Sequence, residues 1–131
     1  MSADLHNLLS EISREEGISE ESKAILRKNY GAKFRKAEKA VSLMAVKKYI
    51  FKPSGRIVWI VVGREQEYFL IPEFYCQCDD FYINVVIRRK TTACYHILAQ
   101  AIAERLGKFE NFVASDSDFI RLNSEWKKQS V

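Results

Sequence analysis

Residues 76–96 read CQCDDFYINVVIRRKTTACYH, a segment that holds every cysteine of the chain and one of its two histidines. The chain must either bring Cys76, Cys78, Cys94 and His96 to one point or bury three free thiols and a histidine separately. The spacing favours one point. Residues two apart on an extended strand project to the same face, so Cys76 and Cys78 can address a single ion. Cys94 and His96 cannot converge inside a regular helix, where residues two apart lie on nearly opposite sides. They can converge where a loop enters a helix. HILAQAIAERLG supplies that helix, stopped by Gly107, with Thr91 and Thr92 as candidate caps. The partial positive charge at a helix start also favours thiolates. The fifteen intervening residues can fold back, because loop closure costs rise only slowly with length.

Three thiolates and one imidazole are soft to borderline ligands, which points to one Zn2+ rather than magnesium or calcium. Four protein ligands leave no open position for water or substrate, so the zinc is expected to be structural. An odd number of cysteines suits a disulfide framework poorly. At 131 residues and 47% apolar, the chain is expected to build a single core without covalent staples. No apolar run approaches the ~18 residues that would span a bilayer, and MSADLHNLLSEISREEG lacks the pattern of a signal peptide. The expected compartment is the cytoplasm, or the nucleus in a eukaryote, with no membrane association. The net charge of +4 permits contact with nucleic acid without demanding it.

The remaining periodicities predict an α+β fold: N-terminal helices, a small antiparallel β-meander, a zinc-stapled strand–loop–helix and a C-terminal helix. Leu5, Leu8, Leu9 and Ile12 have helical spacing, with Gly17 ending the run. Ser19 can cap a second helix carrying Ile25, Leu26 and Tyr30, which Gly31 ends. Phe34, Ala37, Ala40, Val41 and Met44 share one face of a third helix, opposite Lys33, Arg35, Lys36 and Lys39. VKKYIFK, IVWIVV and EYFLI, separated by Pro53-Ser54-Gly55 and by GREQ, read as the meander, and EYFLIPEFYCQC as an extended run. Trp59 reads as core. Ser115 with Asp118 resembles a capping box for a last helix carrying Phe119, Leu122 and Trp126. These divisions give an N-terminal helical segment (1–32), a finger domain (33–107) and a C-terminal helix (108–131).

The pattern C-Q-C, fifteen residues, C-Y-H and a short apolar helix resembles the SWIM zinc finger. The helix before it, with Phe34, Ala37 and Val41, and the meander leading into the C-x-C are similar to that family too. The resemblance covers roughly residues 33–107. FYINVVIRRKTTACYHILA further resembles the finger of the small SWIM proteins of Shu-type recombination complexes. The matching positions are Phe81 after the second cysteine, Val85 and Val86, the basic pair Arg88 and Arg89, and Cys94, His96, Leu98 and Ala99. Asp79 stands where proline is common in that family, and Tyr95 where lysine is common. The resemblance implies a partner that is a RecA- or RadA-type recombinase paralogue, and a role in homologous recombination and DNA repair.

No Walker A pattern, GxSxG, HExxH or glycine-rich phosphate loop occurs. Asp79 and Asp80 read as turn residues rather than an acid/base pair, and His6 as a surface histidine. Together with a closed zinc site, this points away from an enzyme. Two functional classes remain. In the first the chain is an adaptor whose apolar surfaces, Leu5, Leu8, Leu9 and Ile12 or the last helix, dock on the recombinase paralogue. In the second it is a DNA-binding module using Lys33, Arg35 and Lys36 together with Arg88, Arg89 and Lys90, where phosphate contacts would weaken steeply with salt. Phe81 and Tyr82 read either as base-stacking residues or as core around the metal. Pairing of two copies is left open.

Overall fold

The computed structural model of the chain describes residues 3–63 and 66–128. Helices α1 (Ala3–Leu9), α2 (Glu20–Tyr30) and α3 (Ala32–Ser42) lead into strands β1 (Val46–Lys52), β2 (Arg56–Val62), β3 (Glu67–Ile71) and β4 (Tyr75–Cys76). A π-type helix (Phe81–Ile87), α4 (Tyr95–Leu106), β5 (Glu110–Ser115), a short 3-10 turn (Asp116–Asp118) and α5 (Phe119–Lys128) complete the chain. The fold is α+β around one mixed five-stranded sheet of order β4-β3-β2-β1-β5. The first four strands are the antiparallel meander, and β5 adds in parallel to β1.

The central strand explains the layering. RIVWIVV is apolar almost throughout, and such a run is stable only where both sheet faces are covered. Trp59 and Val61 point into the main core with Leu70, Leu98 and Ile102, while Val58 and Ile60 point to the other face with Phe51 and Trp126. Helices α3 and α4 cover the first face and α5 the second. Every residue of α4 from His96 to Ala103 is buried, as expected of a helix that is apolar on all sides. Trp59 is core, edge-on to Phe109 with ring centroids 5.0 Å apart.

Several local expectations fail for identifiable reasons. α1 ends at Leu9, and Gly17 instead faces Ser13 across a tight bridge. Leu5, Leu9 and Ile12, expected on a docking surface, are buried in the main core, with Leu8 packed against it and half-buried. An apolar helical stripe has two possible destinations, and here α1 turns it onto α4. Trp126 is likewise buried, with Phe119 and Leu122 packed beside it. Met44 lies beyond the end of α3, with φ 55 and its side chain exposed. The run EYFLIPEFYCQC is not one extended segment. A turn at 71–74, where the Phe74 N–H donates to the Ile71 carbonyl at 3.0 Å and Glu73 has φ 61, reverses it into β4.

β5 was not anticipated. Its partner lies some sixty residues earlier in the chain, and its alternation is weak. It ends at Ser115, so the last helix begins later, at Phe119, and Ser115 makes no side-chain cap to the backbone. Ser19 does cap α2, accepting from the Ser22 N–H at 3.1 Å. Gly31, with φ 55, ends α2 and opens α3. The GREQ turn lies partly outside the described residues, at 64 and 65. Among the described residues no helix is long and apolar enough to cross a membrane.

Candidate metal centre

Three elements deliver the four ligands. Cys76 is the last residue of β4, held in the sheet by pairing with Leu70. Cys78 follows in the bend that begins the finger, its sulfur accepting from the Phe81 N–H at 3.4 Å. Cys94 occupies the N-cap position of α4 in an extended conformation, and His96 lies in the first turn. The convergence is thus that of a loop entering a helix. The threonines are not the caps: the Thr92 hydroxyl pairs with Tyr30 at 2.7 Å, and the Thr91 hydroxyl donates to the Ala93 carbonyl.

The three sulfurs and one imidazole nitrogen all lie within 4.8 Å of one another, and all four side chains are buried. Tetrahedral zinc–sulfur bonds of ~2.3 Å set ligand atoms roughly 3.8 Å apart, so the cluster has the compactness that zinc requires. His96 supplies an independent test. Both of its ring nitrogens are buried without a hydrogen-bond partner among the described residues, an arrangement that costs free energy unless a metal takes one of them. Its ring is held by Tyr95, with centroids 3.9 Å apart, and by Tyr68 of β3, at 4.1 Å.

The thiols tell the same story. Cys78 titrates well below its ordinary value because Cys76, and then Cys94, donate hydrogen bonds to its sulfur. Cys76 is raised, first by its hydrogen bond to Cys78, then by that to Cys94 and by burial. Cys94 is pushed up to about 12: its hydrogen bond with Cys76 pulls it down, but its bond to Cys78, burial and the Cys78 charge outweigh that. Three thiolates within 4.8 Å of one another in a buried site would repel one another strongly. Ionising all three requires a cation among them, which a divalent metal supplies. Bound zinc would cross-link β4 to the start of α4 and neutralise the thiolates. With four protein ligands it has no position left for a substrate.

The segment between the ligand pairs is ordered rather than a plain loop. FYINVVI winds into the π-type helix, anchored inward by buried Phe81. At its start Asp80 accepts from the Asn84 amide at 2.6 Å and pairs with Lys33 of α3 at 3.2 Å. Asp80 is therefore a structural tie, and it was legible only as a turn residue. Tyr82 is exposed. Arg88, Arg89 and Lys90 are all exposed at the end of this helix, with Arg89 at φ 52. Arg35 and Lys36 are also exposed, Lys36 lying 6.0 Å from the centroid of Tyr95. Lys33, committed to Asp80, is half-buried. His6 is not isolated: its Nδ1 lies 3.2 Å from Glu73 Oε1, with Arg105 4.0 Å from the same oxygen.

The four residues make a compact Cys3His site suited to one zinc, delivered by a strand, a bend and a helix start, as expected of the SWIM zinc finger that the sequence resembles. The chain is similar to the zinc finger SWIM domain-containing protein 7 homolog of Dictyostelium discoideum, 25% identical over 118 residues, which cover 88% of this chain and 76% of that protein. No family model matches the chain. No solved structure matches it.

Proposed function

We propose that this chain is a non-enzymatic SWIM zinc-finger adaptor for a RecA- or RadA-type recombinase paralogue in homologous recombination and DNA repair. One observation supports the non-enzymatic part: four buried protein side chains would fill the coordination of a zinc ion, which would then organise the fold rather than activate a water. The two carboxylates nearest the finger add no reactive pair, since Asp80 is tied to Asn84 and Lys33. The recombination role rests on the likeness of residues 81–99 to the small SWIM proteins of Shu-type complexes. The similarity to a SWIM-domain protein over most of both chains supports the zinc-finger part of the reading. The test is co-expression with RecA-fold paralogues of the same source, followed by size-exclusion chromatography of the zinc-loaded protein. Co-elution that is lost on chelation supports the adaptor. Separate elution from every such paralogue sinks it.

A second reading is a stand-alone DNA-binding module, favoured by the exposure of Arg88, Arg89 and Lys90 with Arg35 and Lys36. Submicromolar binding of labelled single- or double-stranded DNA, falling steeply as salt rises and abolished by Arg88→Glu with Arg89→Glu, would establish it in place of the adaptor.

A further inference from the structure

The end of α3 and the adjoining ends of β1, β2 and β5 line an open cleft of about 810 Å³, which Tyr95, between Cys94 and His96, also lines. Its chemistry is two-fold. Leu43 and Met44 form an apolar lip, 67% and 40% exposed, and Ala40 and Val62 lie within. Lys36, Lys39 and Lys47 stand around it, against one carboxylate, Glu110. Lys47 is partly engaged, 3.8 Å from Glu67 and 5.6 Å from the centroid of Phe112. Among the described residues Lys36 and Lys39 form no ion pair, while Lys36 lies 6.0 Å from the centroid of Tyr95.

The lip is also conformationally unusual. Met44 holds φ 55, a region that costs an ordinary side chain free energy, so the backbone there is over-determined by its surroundings. The turn is fixed by hydrogen bonds from the Met44 N–H to the Val41 carbonyl (3.1 Å) and from the Ala45 N–H to the Ala40 carbonyl (3.0 Å). Two neighbouring large apolar side chains are thereby held toward water, where burial in the chain's own core would have been favourable.

We propose that this cleft is a docking groove for a short acidic amphipathic segment of a partner protein, whose apolar side chains seat against Leu43 and Met44 while its carboxylates meet Lys36, Lys39 and Lys47. Charge complementarity selects the occupant. Three lysines rim a cleft with an aliphatic lip and the ring of Tyr95 in its lining, the pattern met by an apolar helix face edged with Asp or Glu. A nucleic acid fits less well, because single strands bind through stacking on successive exposed rings, whereas the lip here is aliphatic and the one ring lining the cleft, Tyr95, is half-buried beside Lys36. The inference goes beyond the adaptor role and does not depend on which protein the partner is.

The test is a titration of the isotope-labelled, zinc-loaded full chain with a synthetic helical peptide bearing leucines on one face and glutamates on the other. Backbone amide shifts are followed by NMR. The expected result is saturable shifts clustered at residues 36–47 and 62–63, absent with the same peptide carrying lysines for glutamates. Lys39→Glu and Leu43→Asp should each weaken binding at least about tenfold, with melting unchanged because both side chains are exposed. Ile120→Asp on α5 should not weaken it. Absence of shifts at these residues, equal binding of the lysine peptide, or equal response to a DNA duplex would overturn the proposal. The recombinase co-elution is read separately: it decides the adaptor role, and the peptide titration decides the groove.

Discussion

The ring of Tyr68, on β3, lies against the ring of His96, on α4, with centroids 4.1 Å apart and planes tilted by 34°. One ring comes from the sheet and the other from the helix that carries the ligand, so the sheet, together with Tyr95, helps position the one nitrogen ligand. A buried imidazole without a hydrogen-bonded partner among the described residues relies on packing for its orientation, and packing that orients a ligand tunes metal affinity.

Tyr68→Ala should therefore lower zinc affinity by roughly tenfold or more, measured by competition with a chromophoric chelator. Tyr68→Phe should retain wild-type affinity, because the ring makes the contact. Equal loss in both variants would shift the role to the hydroxyl.

Zinc removal should destabilise the half of the chain that follows β3. Structural zinc contributes roughly 10 kcal/mol or more in small fingers, and a chain with its own core should lose part of that, several kcal/mol. Cys94→Ser should act in the same direction. Melting with and without a strong chelator, together with amide exchange in α4, checks this. Unchanged melting after complete removal would refute a structural metal. Since the ligands bind metal only when deprotonated, zinc should also be released progressively as pH falls.

Leu9→Ala should cost about 2–5 kcal/mol by leaving a cavity in the main core, whereas Leu8→Ala, at a half-buried position, should cost less. Chemical denaturation of the two zinc-loaded variants decides it. Equal and small losses would mean that α1 does not pack as described.

Asp116 ties the β1–β2 turn to the entrance of α5. Its carboxylate accepts from the Ser54 N–H at 2.9 Å and from the Ser54 hydroxyl at 2.6 Å. Asp116→Ala should lower stability by about 1 kcal/mol, the scale of exposed side-chain hydrogen bonds, and should increase amide exchange at Ser54. Zinc affinity should not change, since the ligands lie elsewhere.

Much of this architecture is legible locally. VKKYIFK and EYFLI form β1 and β3 over the residues their composition marks, because β-branched and aromatic runs bounded by turn residues have few alternatives. Ser19, Gly31 and Gly107 act as the caps and stops their chemistry suits. The π-type helix was not legible. FYINVVI is rich in strand-forming residues, and its winding depends on Phe81 being drawn into the core and on Asp80 being held by Asn84 and Lys33.

The sequence by itself determined the metal: three thiols and an imidazole at paired two-residue spacings specify soft tetrahedral ligation wherever the backbone brings them together. It also determined the meander and the ends of helices at Ser19, Gly31 and Gly107, which rest on interactions between near neighbours, but not the caps expected of Thr91, Thr92 and Ser115. The tertiary structure alone decided the rest. It turned the leucines of α1 inward onto α4 and laid β5 beside β1 across some sixty residues of chain. It also left Leu43 and Met44 facing water beside three lysines. An apolar stripe states only that one face must be covered. Which surface covers it is settled by long-range packing, where the competing arrangements differ in contacts that no local pattern records.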